Sequence, residues 1–113
     1  IDTNRVDKAA SYLFDRREQF DGGAYWSVLP LAEAMDKENR PLVATLLYRA
    51  LLDSVLARAQ TKAYTHGARY LKKLDKLATS IPYWHEIEDH AAYSQGLRRD
   101  HGRKRSFWST YEG

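Results

Sequence analysis

Two consecutive stretches between Arg40 and Ala78 restrict the fold of this chain more than anything else in it. From Pro41 to Ala59 the sequence is apolar nearly all the way round a helical wheel. Leu42, Val43, Leu46, Leu47, Ala50, Leu51, Leu52, Val55 and Leu56 leave only Thr45, Arg49 and Asp53, spaced four apart, as a continuous polar strip. From Lys62 to Ala78 the sequence is two-faced: Ala63, Tyr64, Gly67, Ala68, Tyr70, Leu71, Leu74 and Ala78 fall on one side, and Lys62, Arg69, Lys72, Lys73 and Lys76 on the other. A helix that is apolar all round must be enclosed, and an amphipathic one must cover something. Together they predict a helical hairpin with its first arm at the centre of the molecule and the lysine side of its second arm facing water. Arg49 and Asp53 are placed for an i,i+4 pair worth a few tenths of a kcal/mol.

The flanks extend the same pattern. Thr3 or Asn4 can cap a first helix reaching about Phe20, with Val6, Ala10, Leu13, Phe14 and Phe20 on one face. Asp21-Gly22-Gly23 stops it. A second helix follows from Ala24 to Lys37, with Tyr25, Val28, Leu29, Ala32 and Met35 inward, and Pro30 either kinking it or lying in its first regular turn. Asn39 is the expected N-cap of the central helix, Pro41 suits that helix's opening turn, and Thr61 is the expected cap of the next. Gly67 and Ala68 would admit a neighbouring helix closely, offsetting glycine's helix cost of about 1 kcal/mol. Ser80 to Asp89, with Pro82, reads as a loop. A fifth helix is expected over Ala91–His101, with Tyr93 and Leu97 inward and Gly102 as its C-cap, and a short last one over Arg103–Tyr111 packs Phe107, Trp108 and Tyr111. No strand-like alternation of useful length appears. The expected class is all-α, with five to six helices in antiparallel hairpins stacked like tetratricopeptide repeats. Ala9–Leu13 echoes Ala44–Tyr48 at an offset near the tetratricopeptide period.

Length and composition narrow the classes of function. A chain of 113 residues is expected to form one domain, able to bury about two thirds of its unfolded surface. It opens on Ile1 rather than methionine, so a longer parent protein is one expectation. With no cysteine there is no disulfide, thiolate nucleophile or Cys-ligated zinc within the chain, which fits a reducing cytoplasm. No apolar run approaches the ~20 residues of a membrane span, and no signal-peptide core is present at the start. Residues 1–60 carry a net charge of −1 and residues 61–113 a net charge of +4, so the basic excess lies in the second half.

The run from Arg40-Pro41-Leu42 through Leu47-Tyr48-Arg49-Ala50-Leu51-Leu52, then Tyr64 to Leu74, then Leu97 to Trp108 with its His-Gly-Arg-Lys-Arg-Ser-Phe-Trp ending, resembles a family of uncharacterised bacterial proteins. The resemblance covers about residues 23–110. It implies a tetratricopeptide-like arrangement of helices and supplies no catalytic residues. Similar helical arrays usually bind other proteins, an analogy of fold. The Trp-Leu-Gly-Tyr pattern of true tetratricopeptides is not reproduced.

The sharpest candidates for a site are cationic. Arg98, Arg99, Arg103, Lys104 and Arg105 form a basic cluster that could neutralise phosphates, and Arg69, Lys72, Lys73 and Lys76 could extend it if their helices pack side by side. The plainer expectation is a solvated helix face whose cations also compensate helix C-termini. Trp26 lies to one side of its helix's inner stripe; core-edge packing is the plainer expectation for it, and an exposed position would make it an interface anchor. His85, Glu86, Glu88, Asp89 and His90 are metal-ligand types at a spacing that matches no metal motif. Ser54 and Ser106 lack an identifiable base, and no glycine-rich phosphate loop follows a strand. The expectation is therefore a non-enzymatic interaction module. It would bind another protein, or its own copy as a homodimer, through apolar surface on the first helix and the C-terminal segment. A nucleic-acid-binding module using the basic half is the alternative, and an enzyme the third reading. No cofactor, metal or membrane partner is expected.

Overall fold

The computed structural model describes residues 3–59 and 61–113, and every regular element among them is helical. The helices are α1 (Thr3–Asp15), α2 (Tyr25–Lys37), α3 (Pro41–Arg58), α4 (Tyr64–Ala78), α5 (His90–His101) and α6 (Arg105–Glu112), with 3-10 turns at Arg17–Gln19 and Thr61–Ala63. None is long and apolar enough to cross a membrane.

The leucine-rich helix is the centre, as its sequence requires. Ala44, Leu47, Leu52 and Leu56 of α3 have no exposed surface, and Leu51 is 1% exposed. Burying each leucine is worth about 1.5–3 kcal/mol, so α3 organises the core. Its main neighbours are α2 and α4; α6 packs on α4, and α1 touches α3 more lightly.

Two glycines set these distances. The turn before α2 presses on α3 so tightly that a β-carbon on Gly22 would lie 1.8 Å from the carbonyl oxygen of Ala50. At Gly67, near the start of α4, a β-carbon would meet Phe107 and Val55 at 3.1 Å each, so α3, α4 and α6 converge there. The close approach expected at Gly67 is thus made by two helices at once.

Several local expectations are corrected. α1 ends at Asp15, not Phe20. Arg16 and Arg17 turn back onto the carbonyls of Tyr12 and Phe14, and the extended backbone at Phe20 carries its ring against the core. Asn4 lies inside α1 and does not cap it. Asn39 closes α2 and does not open α3. It is left-handed (φ 61°), and the Asn39 and Arg40 amides donate to the carbonyls of Asp36 and Met35, the paired bonds of a Schellman ending. The N-cap of α3 is Arg40, without a side-chain cap, and its guanidinium instead holds Asp7 of α1 at 2.6 Å. Thr61 belongs to a 3-10 turn, and α4 starts after Ala63. Pro30 sits in the second turn of α2 on an exposed position, where its missing N–H costs one helix bond. Tyr25 points outward, 60% exposed.

The polar strip of α3 is covered. Thr45 and Arg49 are 1% and 7% exposed. The Arg49 guanidinium stacks 4.4 Å from the ring of Tyr93 and 5.4 Å from that of Trp84, while Tyr93 donates its hydroxyl to Asp53 at 2.7 Å. The expected Arg49–Asp53 pair is replaced by these contacts. Burial, with Asp53 beside it, pushes the Tyr93 pKa far above its ordinary 10. The C-terminal segment, expected to leave apolar surface open, buries Phe107 completely and leaves Trp108 6% exposed.

Two predictions follow from this packing. Gly22→Ala forces the turn off the α3 backbone, and chemical denaturation is expected to show a loss of about 2–3 kcal/mol; an unchanged midpoint would contradict the contact. At the end of α5, His101 has Nδ1 shielded and without a hydrogen-bond partner. Burial first, then the charge of Lys104, hold its pKa below the ordinary 6.5, with Asp100 and Asp53 opposing. The neutral ring is favoured in the folded state, so its contribution is complete above the ordinary value and lost as pH falls beneath it. His101→Gln is therefore expected to flatten the fall in melting temperature between about pH 7.5 and about pH 5.5 relative to the parent chain.

Candidate functional site

α2 and α4 lie on the same side of the molecule, both against α3, with little direct contact between them. Gly22 and Gly67 each face the C-terminal half of α3, and Asp36 near the end of α2 meets Lys73 in α4. The two helices therefore run parallel to each other and antiparallel to α3. Between them opens a cavity of about 900 Å³, which shares Leu29, His66 and Tyr70 in its walls with an adjoining smaller one of about 380 Å³.

Each part of this cleft has a distinct chemistry. Leu29, Leu51 and Val55 give it an apolar floor. Trp26 and Tyr25 stand at its mouth, 70% and 60% exposed, edge to face at 5.6 Å. At the same end are Arg58 and Lys62. Arg58 lies across the glycine turn, so close that a β-carbon on Gly23 would meet its Nη2 at 2.1 Å. Along the α4 wall follow His66, Arg69, Tyr70, Lys72, Lys73 and Lys76, with Glu33 on the α2 side. The Lys73 Nζ–Asp36 Oδ2 bridge, 2.9 Å long, spans from α4 to α2. Both side chains are about one-third exposed, so it is worth at most about 1 kcal/mol and serves mainly to set the spacing of the walls. Among the described residues, Arg58, Lys62, Arg69, Lys72 and Lys76 have no carboxylate within 4.0 Å.

Tyr48 and Tyr70 pack at 6.1 Å beneath the narrower part. Burial pushes the Tyr48 pKa up to about 12, helped by the negative charges of Asp36 and Glu33, and burial likewise raises that of Tyr70. Both hydroxyls stay protonated at neutral pH.

The ten residues singled out from sequence separate into two places. Trp26, Arg69, Lys72, Lys73 and Lys76 line or guard the cleft. Arg98 and Arg105 flank a different, shallow concavity beside Trp108. There Arg98 stacks on the Trp108 ring at 3.9 Å and approaches Glu112 at 3.6 Å. Arg99 pairs with Asp100 at 3.0 Å, a hydrogen bond that raises the arginine pKa and lowers that of the aspartate. Lys104 is the N-cap of α6, and Arg103 is exposed. The two concavities share no lining residue, so the basic half is not one continuous surface within them.

Sequence reasoning missed Arg58, Glu33 and the outward role of Tyr25 and Tyr70. A signal existed for Arg58: with Leu51 and Val55 it forms an i, i+4, i+7 row on α3, an apolar stripe ending in a cation. For Glu33 there was none, because only the pairing of α2 with α4 across α3 gives it a partner surface.

Other clusters serve the fold. Asp75 receives the Tyr111 hydroxyl on Oδ2 and lies 2.6 Å from His90 Nε2 through Oδ1, which joins α4, α5 and α6. Ser94 Oγ is 3.5 Å from the same His90 nitrogen, while His90 Nδ1 is buried without a partner. A serine–histidine–aspartate relay uses opposite ring nitrogens; here both partners converge on one, so the trio is a structural knot. The loop residues of ligand type also separate. His85 packs between Phe14 and Tyr83, Glu86 approaches Arg17, and Asp89 caps α5 through the Ala92 amide. Among the described residues no group of three or more histidines, aspartates or glutamates is placed to hold a metal ion.

The model of a family of unknown function (DUF6880) matches residues 1–110, and the chain belongs to that family. No curated protein and no solved structure matches it.

Proposed function

We propose that this family member is a protein-interaction module, with tetratricopeptide-like paired helices and the α2–α4 cleft as its docking surface. One observation carries the reading: Trp26 and Tyr25 are held in the open at the mouth of an apolar-floored cleft. Large exposed aromatic groups beside a concave apolar surface mark interaction sites, and tryptophan is enriched among the residues that dominate binding energy. The lining favours holding over transforming. Ser54, Thr61 and His66 all border the cleft, yet no hydrogen bond links any two of them among the described residues. The cysteine-free composition supports a cytoplasmic setting for such a module.

The test separates binding from folding. Trp26→Ala removes a side chain that contributes little to the core, so its stability is expected to stay within about 0.5 kcal/mol of the parent. Cross-linked capture of a partner from the source cell is expected to fall by at least about tenfold, as for a hot-spot residue. Equal capture by both chains would defeat the reading, as would a variant that loses more than about 2 kcal/mol of stability.

A further inference from the structure

We infer that the cleft receives a short acidic segment of another protein, one bulky apolar side chain seated over Leu29, Leu51 and Val55 and its flanking carboxylates held by the cations around them. This rests on the docking reading above and names what docks. Charge complementarity selects the occupant. Arg58 and Lys62 stand at the mouth, and Arg69, Lys72 and Lys76 lie along the α4 wall, none with a carboxylate within 4.0 Å among the described residues. Lys73 is already committed to Asp36, so the free cations bracket the apolar floor from two directions. An apolar residue with carboxylates before and after it meets both features; a neutral or basic peptide meets only the floor.

The dimensions agree. From Trp26 to Glu33, its lining residues on α2, the cleft runs for about 10 Å. That accommodates about three extended residues, one apolar side chain with a carboxylate on each side. Nucleic acid fits less well. Single strands are held on open aromatic faces in a row. Here Trp26 and Tyr25 meet edge to face, and Tyr48 is 4% exposed beneath Tyr70. Glu33 on the α2 wall also opposes a phosphate track, whereas the carboxylates of a peptide need occupy only the cationic side.

Selection from a displayed library of random dodecapeptides tests this, using the parent chain, Trp26→Ala, and Lys62→Glu with Arg58→Glu. Lys62→Glu with Arg69→Glu is the second charge variant, should reversal at Arg58 disturb the glycine turn, and each variant's melting temperature is checked first. Binding of a labelled thymidine oligonucleotide and light scattering of the protein alone complete the set. The expected result is enrichment of net-negative peptides around one bulky apolar residue. Their affinity falls at least about tenfold on both kinds of variant and weakens with added salt, as exposed charge contacts require. Enriched neutral or basic peptides that still depend on Trp26 would overturn the acidic occupant and leave the docking cleft standing. Peptides that bind the parent chain and Trp26→Ala alike, or a library that yields no binder, would overturn both. Oligonucleotide binding abolished by charge reversal, with no acidic peptide selected, would overturn the inference in favour of nucleic acid. A dimer that dissolves on Trp26→Ala would do so in favour of a second copy.

Discussion

Everything in this fold depends on enclosing one helix. α3 has apolar residues on nearly every side, and a single neighbour can cover only about a third of a helix's circumference. It therefore recruits α2 on one flank, α4 on another, and the 80–89 loop with α5 over the strip that carries Thr45 and Arg49. Packed helices keep their axes about 8–10 Å apart. Here α2 and α4 take separate flanks of α3 and touch each other little. The cleft is what remains between α2 and α4, and Leu29, Leu51 and Val55 form its floor. The cleft is thus a geometric by-product of satisfying the central helix.

Polar groups follow a matching division of labour. Arg40–Asp7 ties α1 to the α2–α3 turn, Asp75 joins α4 to α5 and α6, and Tyr93–Asp53 fastens α5 to α3. Arg49 is the extreme case. Its Nε and Nη2 are buried without hydrogen-bond partners, and burial lowers its pKa, yet its cation lies against two aromatic rings. Such contacts are stronger where water is excluded. Against this background the cations of the cleft stand apart, because carboxylates do not neutralise most of them. Unpaired cations and an exposed tryptophan share this one surface, and the proposed docking role rests on that combination.

How much of this was legible depended on whether the signal was local. The enclosure of α3 followed from its composition alone, and the extents of α2 and α5 came within a residue of those observed. Capping was less readable. Asn39 suits either role chemically, as an N-cap or as a left-handed closing residue, and the Schellman bonds to Met35 and Asp36 decide between them. The strip on α3 was visible as a strip, but not its covering, since Trp84 and Tyr93 lie more than thirty residues away. Likewise the basic residues of α4 and those after Leu97 looked like one patch, because sequence carries no record of how helices rotate against one another.

That rotation is settled in the core beneath the cleft. Gly67 gives α4 a gap where Phe107 enters, against Val55 and Leu52 of α3. The ring is then locked by Tyr64 at 5.8 Å and Trp108 at 5.0 Å. With Gly67 and Leu71 turned inward, helical periodicity turns Arg69, Lys72 and Lys76 away from α3 to the outer rim of the α4 wall and leaves His66, Tyr70 and Lys73 on the edge toward α2. A β-carbon at position 67 would press on Phe107 and Val55 at 3.1 Å, so those side chains must give way or α4 must shift. α6 therefore never lines the cleft, yet it decides which side chains do. The electrostatic character of the cleft is in this sense set from the core, at the one position along α4 that carries no side chain.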